Sequence, residues 1–211
     1  CALVVLLAWR FSRDRLYSII IVLLILIAAV GGKVVEFFGF ATNTGNIFYA
    51  SIFLATYFLV ERYGRREGIY AIWIGAAGVI LYAFMVQVTI AFTSVDATSE
   101  LSATVGAAYE PLSRLAIASL VAYVLAQNLN VRLYCYLKQK YTTINLWLRA
   151  NIANAVSQVV DSIVFFTIAF WGVVAPAAVW EIMLTGFVLK VVFIAAASPL
   201  LYLNRIEQDE E

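Results

Sequence analysis

The segment LWLRANIANAVSQVVDSIVFFTIAFWG, residues 146–172, decides the fold. It is apolar apart from Arg149, Asp161 and a few amides and hydroxyls, and it contains no proline. About 20 predominantly apolar residues rising 1.5 Å each cross the hydrocarbon core of a bilayer, so the stretch predicts a transmembrane helix over 146–171. Within it Asn151, Asn154, Gln158 and Asp161 are spaced three, four and three. At about 100° per residue they fall in an arc of roughly 80°, giving one polar face in apolar surroundings. Hydrogen bonding between helices accounts for one or two such residues. Four in succession, ending in a carboxylate, read as the wall of a cavity.

The rest of the chain has the same character. Of its 211 residues, 64% are hydrophobic and 13% charged, which excludes a water-soluble domain. Apolar runs predict spans at about 16–38, 45–63, 67–93, 112–136, 146–171 and 177–203. The fold class is therefore an all-α integral membrane protein with six full transmembrane helices plus a partial N-terminal helix. Residues 1–15 read as that partial helix and its connection, 16–203 as the helical domain, and 204–211 as an acidic solvated tail. The connection 94–111 reads as a solvated outer loop, with a cap over a cavity as the alternative.

Fourteen Lys and Arg against thirteen Asp and Glu give a net charge of +1, which suggests no nucleic-acid partner. Their positions say more. Arg10, Arg13, Arg15, Arg62, Arg65, Arg66, Arg132, Lys138, Lys140, Arg149 and Arg205 fall on one side of the predicted membrane, against Lys33 and Arg114 on the other. The positive-inside rule then places the C-terminus in the cytoplasm.

Lys190 lies near the middle of the last span and Asp161 near the middle of the preceding one. Antiparallel neighbours can join them, either as a structural ion pair or as a pair that also serves substrate or proton coupling. Arg114, Ser119 and Gln127 lie in the 112–136 span. Glu61 closes the 45–63 span beside Arg62, as an interfacial salt bridge or an intracellular gate.

The chain has no His, which removes histidine triads and histidine metal sites, and its two cysteines form no metal-binding pair. No Walker A loop, GxSxG or HExxH motif is present, so no ATP site, hydrolase chemistry or cofactor is expected.

Three stretches, SIFLATYFLVERYG (51–64), RLAIASLVAYVLAQNLNV (114–131) and 146–172, together with Lys190 and Pro199, resemble the queuosine-precursor transporters, also called putative vitamin uptake transporters. The resemblance implies a non-enzymatic importer in the plasma membrane carrying 7-deazaguanines such as 7-cyano-7-deazaguanine for tRNA modification. It also implies six core helices resembling the substrate-binding subunits of energy-coupling-factor transporters. Glu61, Tyr63 and Gly64 match the family's Glu-x-Tyr-Gly motif; Arg114, Ser119 and Gln127 match its fifth-helix motif; Trp147, Arg149, Asn151, Gln158 and Asp161 match the sixth. Two positions depart, Tyr57 and Asn130, where Asp is usual.

On this reading Asp161, Gln158, Asn154, Asn151, Gln127, Arg114 and Lys190 are the candidate substrate-binding residues, and Glu61 and Arg149 the candidates for coupling or gating. The partners are a small heterocycle and the bilayer, with a homo-oligomer or a separate energising module left open. Another heterocyclic vitamin is the alternative cargo. A structural subunit and a seven-helix retinal photoreceptor, in which Lys190 would form the Schiff base, are the alternatives of a different class.

Overall fold

A computed structural model describes residues 5, 12–31, 34–37, 40–92, 95, 99–109, 112–141, 145–172 and 176–202. The acidic tail and all but Val5 of the predicted partial helix 1–9 lie outside the described residues.

Among the described residues, seven helices and one hairpin follow in order: α1 (Arg13–Val30), β1 (Val34–Phe37), β2 (Phe40–Asn43), α2 (Thr44–Tyr63), α3 (Arg65–Ala91), α4 (Ser99–Tyr109), α5 (Leu112–Lys140), α6 (Leu146–Phe170) and α7 (Pro176–Ala197). A 3-10 turn, Ser198–Tyr202, ends the described chain, where Pro199 has no N–H with which to continue an α-helix. Among the described residues, four stretches are long and apolar enough to cross a membrane: Arg65–Ala91, Ala116–Lys140, Leu146–Phe170 and Met183–Tyr202.

Helix α2 forms the centre. Every residue from Ser51 to Val60 is buried, as expected of a helix that is apolar all round. It packs against α1, α3 and α7, while α5 and α6 run side by side along most of their lengths. Ala118, Ala122 and Ala126, four apart on α5, and Ala150, Ala153 and Ser157 on α6 are all essentially inaccessible. Small side chains of this kind let membrane helices approach closely.

Two expectations change. The helix predicted over 16–38 ends at Val30, where the Gly31 N–H closes the last turn on the Ile27 carbonyl at 2.8 Å. The following β-branched and aromatic residues pair instead as an antiparallel hairpin, with Val34 opposite Asn43 and Phe37 opposite Phe40. The connection 94–111, expected as a solvated loop, holds an 11-residue helix, α4. Its Tyr109 lines a shallow apolar cleft with Ala28, Val79, Tyr82 and Val86.

Candidate functional site: a buried polar wall on α6

Helix α6 presents its polar residues to the protein interior. Asn154, Ser157 and Gln158 have no exposure, and Asp161 and Ser162 are buried with them. Asp161 lies 15 residues into α6 and Lys190 14 residues into α7, so each stands about 21–23 Å along its helix. The antiparallel arrangement brings them together: Lys190 Nζ donates to Asp161 Oδ2 at 2.5 Å. Side-chain exposure of 10% and 4% makes this a desolvated pair, each charge held by the other.

The same ammonium lies 5.1 Å from the centroid of the Tyr49 ring on α2, within cation–π range. Asp161 thus sits among Lys190 from α7 and Tyr49 from α2, with Tyr123 of α5 in turn close to Tyr49.

Around this pair, hydrogen-bonding groups stand without partners. Among the described residues, both amide atoms of Asn154, both of Gln158, Gln127 Nε2, Ser162 Oγ and Tyr123 Oη are buried and unbonded. An unsatisfied buried polar group costs roughly 1–3 kcal/mol, so seven such atoms contributed by two adjacent helices are more than packing alone accounts for. Their chemistry is mixed: amide nitrogens donate, amide oxygens accept, and hydroxyls do either. Such a surface can hold a neutral heterocycle by its edge.

Gln127 lies on α5 with no exposure, its Oε1 accepting from Asn130 Nδ2 at 3.4 Å. Asn151 is diverted from the wall. Its Nδ2 donates to the Trp147 carbonyl at 2.8 Å and to Ser198 Oγ at 2.9 Å, fastening α6 to the 3-10 turn after α7. The Arg114 side chain lies outside the described residues. Ser119 faces outward and is exposed.

Glu61 and Arg149 occupy a second cluster at the other end of α2, α5 and α6. Glu61 accepts from the Tyr134 hydroxyl and pairs with Lys138 at 3.1 Å. The guanidinium carbon of Arg149 is 5.9 Å from the Tyr134 ring centroid. Tyr134 in turn packs on Tyr57 with centroids 4.8 Å apart, and the Tyr57 hydroxyl shares its proton between Asn130 Oδ1 at 2.8 Å and the Ala150 carbonyl at 2.9 Å. The two positions singled out as departures are therefore bonded to each other. This aromatic and ionic layer lies between the polar wall and the Arg- and Lys-rich end of the bundle.

Reading the sequence for charges and amides misses Tyr49, Tyr123, Ser157 and Ser162. Ser157 and Ser162 share the inner face of α6. Tyr49, Phe53 and Tyr57 recur every four residues, a periodicity that signals one face of a helix but not what that face touches.

Residues 43–204 match the family described as "putative vitamin uptake transporter". A "probable queuosine precursor transporter" of Bacillus subtilis (strain 168) is 35% identical over 161 residues, covering 75% of this chain and 69% of its own. No solved structure matches. The family match takes in the polar wall, the ion pair and the inner layer together, and on it the chain belongs to the putative vitamin uptake transporter family.

Proposed function

We propose that this protein imports a 7-deazaguanine, with 7-cyano-7-deazaguanine as the leading substrate, for use in tRNA modification. The observation that carries the reading is the set of unpartnered buried amides of Asn154, Gln158 and Gln127 beside a carboxylate. The ring edge of a deazaguanine offers N1–H and an exocyclic amine side by side, and one carboxylate can accept both. Asp161 has that role. Gln158 and Asn154 amides donate to the ring carbonyl and accept from the remaining N–H, while Gln127 Nε2 closes the site from α5. The printed name of the Bacillus relative supports the same class of cargo.

The carrier reading assigns six crossings, α1, α2, α3, α5, α6 and α7, arranged as in the substrate-binding subunits of energy-coupling-factor transporters. On this reading the C-terminus lies in the cytoplasm, which the basic residues of the connections support. Glu61, Tyr134, Lys138 and Arg149 then form the inner closure of the cavity.

Binding of 7-cyano-7-deazaguanine to protein purified in lipid nanodiscs tests the assignment. Saturable binding by the unsubstituted chain and a loss of at least tenfold in affinity for Asp161→Asn are expected. Equal binding by both removes Asp161 from the site. Binding of a pterin or flavin in place of every deazapurine moves the cargo to another heterocyclic vitamin.

A further inference from the structure

Nothing in the wall of amides supplies a surface for the flat face of a heterocycle, so a ring must come from elsewhere in the bundle. Tyr49 is the aromatic residue that borders the ion pair. Its ring has Lys190 Nζ at 5.1 Å, and that same nitrogen lies 2.5 Å from Asp161 Oδ2. The Tyr49 hydroxyl also bonds Asp161, so ring, ammonium and carboxylate form one cluster in which Lys190 contacts both of the others. A ligand that brings N–H donors to Asp161 and a π-face to Tyr49 would make the two contacts that Lys190 makes.

Of the other described rings, Tyr123 meets the wall through its unbonded hydroxyl, and the following are committed elsewhere. Tyr57 and Tyr134 belong to the inner layer, with their hydroxyls bonded to Asn130, Ala150 and Glu61. Phe165, Phe166 and Phe170 pack on one another towards the far end of α6. Trp73, Trp171 and Trp180 are more than half exposed. Tyr49, by contrast, is 9% exposed and is backed by Phe53 with centroids 5.5 Å apart, which fixes the ring before any ligand arrives.

We propose that Tyr49 is the surface on which the heterocycle stacks, with Lys190 displaced from Asp161 as it enters. The proposal rests on the reading of the site given above. Stacking of a nucleobase on an aromatic side chain contributes about 1–3 kcal/mol, which is roughly 5- to 150-fold in affinity.

Titration of 7-cyano-7-deazaguanine into the protein in nanodiscs tests it with three variants. Tyr49→Phe keeps the ring, removes only the hydroxyl that bonds Asp161 in the ligand-free protein, and is expected to bind within about threefold of the unsubstituted chain. Tyr49→Leu is expected to weaken binding at least about fivefold while the melting temperature of the ligand-free protein stays within a few degrees. Tyr49→Trp is expected to gain an emission signal that the ligand quenches, measured as the difference from the unsubstituted protein, and this readout serves even if Tyr49→Leu fails to fold. Undiminished binding by Tyr49→Leu, or an unquenched Tyr49→Trp that still binds, overturns the stacking role and leaves the transport reading standing. Absence of binding by the unsubstituted protein overturns both.

Discussion

At the residue scale the site combines two kinds of buried polar group with opposite energetic consequences. Asp161 and Lys190 neutralise each other, so removing one leaves the other charge unpaired in a desolvated place. Breaking such a pair typically costs about 3–5 kcal/mol, whereas replacing both members with neutral groups is close to neutral. Lys190→Met alone is therefore expected to lower the melting temperature or expression sharply, and Lys190→Met combined with Asp161→Asn to restore it without restoring ligand binding. Thermal unfolding in detergent or nanodiscs measures both. Gln158 behaves in the opposite way, because neither of its amide atoms has a partner among the described residues. Gln158→Leu relieves a desolvation cost and is expected to leave the melting temperature unchanged or higher, while ligand affinity falls about tenfold. A drop in stability with affinity intact would mean that Gln158 is a packing element.

At the element scale, close approach and backbone conformation hold the scaffold that presents these groups. Gly64, between α2 and α3, has φ +92° and ψ 174°, a region open to glycine and strained for other residues. Gly64→Ala is expected to cost about 1–3 kcal/mol, seen as a lower melting temperature with ligand affinity little changed. Gly68, one turn into α3, admits no side chain for a different reason: a Cβ there would fall 2.4 Å from Val60 Cγ2, on a β-branched side chain that cannot readily turn aside.

How much of this was legible in the sequence follows from which signals are local. The polar arc of α6 needs only the 3.6-residue period, and Asn154, Gln158 and Asp161 do lie together facing inward. Asn151 stands at the edge of that arc, where Ser198 of the following segment captures it, a tertiary contact that periodicity does not encode. The Asp161–Lys190 pair was readable from matching depth in two consecutive spans. Tyr49 was not, because only the packing of α2 in the centre of the bundle brings its ring to that pair. The hairpin after α1 was hidden for another reason: VVEFFGFATN is apolar enough to read as more helix, although its β-branched and aromatic composition also suits strands.

At the scale of the whole molecule the distribution of basic residues carries the proposed direction. The orientation proposed above, with the C-terminus in the cytoplasm, puts the α5–α6 connection on the inner side and α4 on the outer side. In a background without the native cysteines, Gln139→Cys is expected to react with a membrane-impermeant maleimide only after the cells are opened, and Ser102→Cys in intact cells. The reverse pattern would invert the carrier. Direction, site and cargo meet in one cellular measurement: queuosine in the tRNA of bacteria that can neither make the deazaguanine precursor nor take it up, given 7-cyano-7-deazaguanine at limiting concentration and expressing this chain. Restoration of queuosine by the unsubstituted protein, and its loss with Asp161→Asn present in the membrane at equal level, is the predicted result. No restoration by the well-expressed unsubstituted protein, or equal restoration by Asp161→Asn, would contradict it.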